Sequence, residues 1–270
     1  MSVTTKDLWS LTWGNPQVDA TDLASAVERQ VISEDLDYRS RLLVRDSVQA
    51  LRRYWGEERV AAWLANSSVG HEIEAICKGP WDDDRGFGSL ASRVVDVTKP
   101  ETIRQFIREL SLNVHGPVRL GIGGSAALIL RDQLVRKTDD VDVVDVVDEL
   151  PAPIRNQHAL LEQLASRYGL SPTHFQRHYL PAGWENRLQY FDTYGQVRIY
   201  LVDTYDIALG KLFSARSKDL DDIRMVMPQL DKSVLAQKLR ETAHALLSAR
   251  DLRHHAERNW YILFGEALPA

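Results

Sequence analysis

With 270 residues, 44% of them hydrophobic and 26% charged, and a formal charge of −5, the chain has an ordinary globular composition and room for one large domain or two average ones. Its single cysteine, Cys77, excludes an intrachain disulfide framework and a cysteine-rich zinc site. The charge-free apolar stretch from Leu120 to Leu130 has 11 residues, short of the ~20 that a membrane span needs, and Met1 to Trp13 lacks an apolar signal core, so a cytoplasmic protein with no membrane partner is expected.

The first third reads as helical. Thr21 to Ser33 forms a short helix, Glu34 to Trp55 sets Val44, Val48, Leu51 and Trp55 along one stripe, and Glu57 to Ala65 forms another helix. From Ser67 to Val97 the chain is rich in Gly, Ser and Asp and includes Gly79-Pro80, so loops and an interdomain connection are expected there. Thr98 and Glu101 have the spacing of a capping box before a helix faced by Ile103, Phe106, Ile107 and Leu110, with Gly116-Pro117 closing it. Val118 to Ile122 alternates as a short strand that runs into Gly123-Gly124-Ser125, and a helix from Ala126 to Leu134 follows.

Val141 to Val147 is β-branched in most positions and suits a buried strand. Pro153 to Tyr168 reads as a helix, and Leu188 to Phe191 with Val197 to Val202 as a hairpin around Thr193 to Gln196. Helices are expected at Thr204 to Ala215, Lys218 to Met227 and Lys232 to Ser248. This order divides the chain into a mainly helical N-terminal region, residues 1–97, an α/β core over 98–203, and a helical C-terminal region over 204–270 that completes the site.

Two segments invite chemistry. Gly123 and Gly124, between a strand and a helix, let a ligand approach the backbone, and a helix start favours an anion such as phosphate. Ser125 is placed either to cap the helix or to donate its hydroxyl to that phosphate; the same tripeptide also serves as a plain structural turn. Downstream, Asp139, Asp140, Asp142, Asp145, Asp148 and Glu149 put six carboxylates into eleven residues, more than the whole net negative charge. Strand alternation sets Asp140 and Asp142 side by side on one face, where their repulsion is relieved by a divalent cation of the Mg²⁺ or Mn²⁺ type. The other reading is a solvated, aggregation-resistant strand edge.

Together these segments resemble the nucleotidyltransferase fold shared with DNA polymerase beta and the minimal nucleotidyltransferases, with fourteen residues between Ser125 and Asp140. The run Arg136-Lys137-Thr138-Asp139-Asp140-Val141-Asp142 is similar to the R-x-T-x-D-h-D lead-in of AbiEii-type and related nucleotidyltransferase-like proteins, many of them toxins of toxin–antitoxin pairs. Lys211-Leu212, Arg216 and then Lys218 to Asp222 resemble that group's Lys-Leu helix and Arg-Asp-x-x-Asp run, with Lys218 where Arg is commoner.

The resemblance covers about Leu120 to Met225. It implies an α/β fold with a nucleotidyltransferase-like mixed sheet and helical additions at both ends. It also implies metal-dependent transfer of a nucleoside monophosphate from a nucleoside triphosphate to a hydroxyl acceptor. By the resemblance that acceptor is a tRNA 3′ end or other RNA, as in the toxin-like group, or else a protein side chain or a small alcohol such as an antibiotic, and the protein partner is a cognate antitoxin. By this resemblance Gly123, Gly124, Ser125 and Thr138 border the nucleotide. Asp140 and Asp142 hold Mg²⁺ or Mn²⁺, Lys211 contacts the phosphates, and Asp222 is a further active-site carboxylate.

Polymerase-like relatives carry a third carboxylate on a neighbouring strand. Val197 to Val202 offers only Arg198 and Tyr200 on its polar face, which leaves Asp203, Asp192 and Asp222 as alternatives. Without a general base the chain would be a nucleotide-sensing or protein-binding module on the same fold, with residues 1–97 as its partner surface. His174 and His178 lack a zinc pattern and read as surface or packing residues. Arg250, Arg253, His254, His255 and Arg258, interleaved with Asp251 and Glu257, read as a solvated helix face, the alternative being a mildly basic stretch that touches an RNA backbone.

Overall fold

Apolar residues spaced three and four apart through the first third of the chain form helices that each bury one face. The computed structural model describes residues 8–12, 17–33, 36–81, 90–145, 154, 156–174 and 179–269, divided between two units, Met1–Val97 and Thr98–Ala270. The first holds α1 (Leu8–Thr12), β1 (Val18–Asp19), α2 (Ala20–Ile32), α3 (Tyr38–Trp55), α4 (Glu57–Asn66), α5 (Gly70–Lys78) and β2 (Val94–Val95), with β1 and β2 paired in parallel. Leu23, Val27, Leu43, Val48, Leu51 and Ile73 are fully buried in its core. Asp19 stitches the unit together: Oδ1 accepts from the Thr21 and Asp22 amides to cap α2, and Oδ2 accepts from the Val97 amide.

The loop reading of Ser67 to Val97 is corrected by α5. Ile73 is buried, and Ile76 and Cys77 pack against the same cluster, so three residues at helical spacing suffice where tertiary contacts wait for them. Residues 82–89 of that stretch lie outside the described residues. The long stripe begins later than expected, at Tyr38, because Asp37 accepts from the Ser40 amide as N-cap.

In the second unit a five-stranded mixed sheet has the order β5-β4-β3-β7-β6. Its strands are β3 (Val118–Ile122), β4 (Asp140–Asp145), β5 (Ser171–His174), β6 (Gln189–Tyr194) and β7 (Val197–Leu201). β3 runs antiparallel to β4 and parallel to β7, β4 is parallel to β5, and β6 and β7 form the antiparallel hairpin. α6 (Pro100–Ser111) precedes the sheet, and α7 (Gly124–Leu130) and α8 (His158–Tyr168) come between its strands. After the sheet follow α9 (Thr204–Leu212), α10 (Ser217–Val226), α11 (Lys232–Thr242), α12 (His244–Ser248) and α13 (Arg250–Phe264).

Leu120, Ile122, Val141, Val143, Ile199 and Leu201 face a core shared with Ile103, Phe106 and Ile107 of α6. Each such side chain contributes roughly 1.5–3 kcal/mol by leaving water. A second cluster, centred on Leu209, Phe213, Leu239 and Trp260, holds the C-terminal helices together. No helix among the described residues is long and apolar enough to cross a membrane.

Several expected boundaries move. Lys99, not Thr98, is the N-cap of α6, and Pro100 occupies its first turn. The Thr98 hydroxyl instead donates to the Thr138 carbonyl (3.0 Å) and accepts from the Thr138 amide (2.9 Å), which pins the chain just before β4. The helix after the glycines begins at Gly124 and ends at Leu130, earlier at both ends than Ala126 to Leu134. The last expected helix is split at Ala243 into α11 and α12.

The edge strand β5 was not expected. Ser171-Pro172-Thr173-His174 is short, and its proline is tolerated because the strand lies at the sheet edge. Its position also corrects the search for a strand beside the acidic one, since β7 pairs with β3 and the second neighbour of β4 is β5.

Candidate active site

The acidic pair is positioned by the valines between and after it. Val141 and Val143 are buried beneath the sheet, so alternation turns Asp140 and Asp142 to the opposite face, where Asp140 is exposed and Asp142 half-buried. Antiparallel pairing brings the end of β3 alongside, and the Gly123 amide donates to the Asp142 carbonyl at 2.9 Å. That amide is therefore engaged in the sheet.

Gly124 explains why the turn is built of glycine. Its φ is +56°, and a Cβ placed there would lie 1.8 Å from Asp142 Oδ2. The backbone of the turn and the carboxylate of β4 thus occupy adjoining space only because no side chain intervenes. Gly124→Ala is expected to cost about 1–2 kcal/mol from the left-handed backbone alone, with displacement of the Asp142 carboxylate adding to it; a urea-unfolding midpoint equal to that of the wild type would refute this.

Asp142 Oδ1 accepts from Thr173 Oγ1 at 3.0 Å. Burial raises the Asp142 carboxyl above its ordinary range, and the charge of Asp140 adds to the rise against the opposing pull of Thr173, Lys211 and Arg216. Opposite Asp140 and Asp142 on β5 stand Ser171 and Thr173, so the strand flanking the acidic pair supplies hydroxyls and no carboxylate. Asp203 instead caps α9 through the Tyr205 amide, and Asp192 accepts from the Thr193 amide; neither lines the cavity described below.

A buried charge cluster lies behind the turn. Lys211, only 9% exposed, sets Nζ 2.6 Å from Asp219 Oδ1 and 2.7 Å from Asp222 Oδ2. Asp222 is fully buried, and it also accepts from Ser125 Oγ at 3.0 Å and from an Arg136 terminal nitrogen at 3.1 Å, with Arg136 Nε 2.6 Å from its other oxygen. Asp219 Oδ2 accepts from Ser214 Oγ and from Arg216 Nε.

For Asp219, burial alone would raise the carboxyl, but the Lys211 ammonium and the hydrogen bonds from Lys211, Ser214 and Arg216 outweigh it and hold the group below its ordinary 3.8. A lowered carboxyl contributes stability that is present above its unfolded pKa and is lost as pH falls through the folded value. Asp219→Asn is therefore expected to destabilise the chain by about 2 kcal/mol near neutral pH, with the gap to wild type narrowing below about pH 4 in urea titrations.

A cavity of about 980 Å³ opens within this unit, and Gly124, Asp140, Asp142, Thr173, Lys211 and Asp219 line it. Arg216 and, from the start of α13, Arg250, Asp251 and His255 also line it. Of the residues expected at the site, Gly124, Asp140, Asp142 and Lys211 meet at the cavity. Gly123, Ser125, Thr138 and Asp222 stand behind it: Ser125 turns inward to Asp222 and Arg136, and Thr138 Oγ1 donates to the Asp140 carbonyl.

Sequence reasoning missed several participants. Arg136 stood in the quoted motif without a role, and Thr173 had no local signal because its strand is recognisable only through pairing with β4. Arg250 and His255 were hidden by alternation with acids that resembles an ordinary solvated face. The side chains of His174 and His178 fall outside the described residues.

Among the described residues no three His, Cys, Asp or Glu side chains converge as a metal cage. Two adjacent carboxylates nevertheless fit a hard cation of the Mg²⁺ type, which commonly takes one or two protein carboxylates and fills its shell with water and substrate phosphate. The space that a Cβ at Gly124 would fill keeps the backbone clear of Asp142 Oδ2.

A mixed sheet with paired aspartates beside a glycine turn, together with its helices, is that of an α/β nucleotidyltransferase-like protein. A family model described as nucleotidyltransferase of unknown function (DUF6036) matches residues 96–264, and the chain belongs to that family. The match covers the second unit almost entirely. No curated protein and no solved structure matches the chain.

Proposed function

We propose that the second unit transfers a nucleoside monophosphate from a nucleoside triphosphate to a hydroxyl acceptor, with Mg²⁺ or Mn²⁺ held by Asp140 and Asp142. The observation that carries this reading is the meeting of Gly124, Asp140, Asp142 and Lys211 at one cavity. A bound cation would supply neutralisation of the charge that develops on the transferred phosphoryl group. The chain's own residues do the rest: Gly124 leaves room beside Asp142, Thr173 orients the Asp142 carboxylate, and Lys211, held in place by Asp219 and Asp222, lines the cavity beside them. In the reaction the acceptor hydroxyl oxygen bonds to the α-phosphorus as its proton passes to water, the bond from the α-phosphorus to the α–β bridging oxygen breaks, and pyrophosphate leaves with that oxygen.

By the AbiEii-type resemblance the acceptor is a tRNA 3′ end or another RNA, and a cognate antitoxin is the protein partner. The test is pyrophosphate release by the full chain with ATP, CTP, GTP or UTP, Mg²⁺ and total RNA. Release that depends on both nucleotide and RNA supports the proposal. A second reading, a nucleotide-sensing module without turnover, is favoured by one observation, the hydroxyl residues Ser171 and Thr173 beside the acidic pair. Nucleotide binding without release in the same assay would select it.

A further inference from the structure

Lys211 has little charge to spare for a ligand, since two buried carboxylates lie within 2.7 Å of its ammonium. A polyphosphate entering the cavity needs other cations, because Asp140 and Asp142 repel it until a metal offsets them. The remaining cationic lining is Arg216 and Arg250, with His255 beside them. Arg216 uses Nε on Asp219 and is exposed; its terminal nitrogens make no hydrogen bond among the described residues, and its charge is felt at Asp142. Arg250 is exposed at the first position of α13 and forms no ion pair among the described residues. His255, five residues further on, is half-buried, and its Nδ1 is shielded from water with no hydrogen-bond partner among the described residues. An unmatched buried ring nitrogen calls for a ligand or a water.

We infer that Arg216, Arg250 and His255 form the phosphate-holding wall of the site, and that the ligand held there is the polyphosphate tail of the nucleotide. The inference rests on the nucleotidyl-transfer reading above and assigns α13 to the nucleotide. Guanidinium groups suit this task because their forked N–H donors match phosphate oxygens. Asp251, in the same first turn and on the same wall, is exposed, so water screens its charge.

The test uses the full chain and inorganic tripolyphosphate in isothermal titration calorimetry with Mg²⁺ present. Wild type is expected to bind it, Arg250→Ala to bind about ten-fold more weakly, and His255→Gln to weaken by about three-fold. Arg240→Ala, on the exposed side of α11, controls for net charge and is expected to bind as wild type does. Adenosine, which has no phosphate, should respond to none of these changes.

Tripolyphosphate affinity unchanged in both Arg250→Ala and His255→Gln, or wild type that fails to bind it, overturns the inference. So does an Arg250→Ala variant that loses affinity for an RNA oligonucleotide but not for tripolyphosphate, which would assign the wall to the acceptor. The transfer reading fails separately: Arg250-dependent tripolyphosphate binding without pyrophosphate release would refute turnover and leave the wall standing.

Discussion

Asp142→Asn is expected to lower nucleotide-dependent pyrophosphate release by about a hundred- to a thousand-fold without destabilising the chain. The two effects share a cause. Burial makes the ionised Asp142 costly in the folded state and raises its carboxyl, with the nearby charge of Asp140 adding to the rise. A carboxyl of this kind binds its proton more tightly when folded, so its contribution to folding is fully present below the unfolded pKa and is lost as pH rises from there through the folded value. The amide resembles the protonated form in shape and keeps an oxygen for the Thr173 hydroxyl, so folding at neutral pH should be unharmed or improved. What it removes is the negative charge that would hold the proposed cation. Retained stability with lost turnover places Asp142 in the chemistry; full turnover in this variant would remove the central support of the proposed function.

The same residues show how far the sequence could be read. The alternation around Val141 and the glycines at 123 and 124 were legible because both obey local rules: side chains alternate along a strand, and a positive φ calls for glycine. The acidic pair and the turn were therefore found before their contact was known. The spacing of Asp219 and Asp222 likewise announced a shared helical face, and both reach Lys211.

What was not legible depended on distant pairing. β5 exists because Val141 and Val143 offer it an edge, and the neutral hydroxyl of Thr173 opposite Asp142 follows from that register alone. The role of Ser125 was misdirected for a similar reason. A hydroxyl after two glycines reads as a phosphate ligand, but the folding of α10 against α7 presents it with Asp222 and Arg136 first. Arg250 and His255 acquire meaning only through the packing of α13 around Trp260, which turns its first turns toward the cavity.

Asp222→Ala is expected to be the most destabilising single change in this cluster, at about 3–5 kcal/mol in urea unfolding. Asp222 is fully buried and serves two cations at once: Lys211 at 2.7 Å and Arg136 at 2.6 Å. Removing it leaves Lys211 with Asp219 alone and leaves the largely buried Arg136 with no carboxylate among the described residues. It also strands the Ser125 hydroxyl that donates to it. The cost is specific to leaving charges unpaired, so the second removal should be cheaper than the first. Arg136→Ala introduced into the Asp222→Ala background is expected to add little, whereas Arg136→Ala in wild type costs substantially more. A double-mutant cycle with no coupling between the two positions would mean that the ion pair contributes nothing to the fold. Turnover provides the link to function: if Asp222 acts by fixing Lys211, activity in Asp222→Asn should fall with nucleotide affinity largely retained, while a metal-holding role would instead raise the Mg²⁺ concentration needed for half-maximal activity.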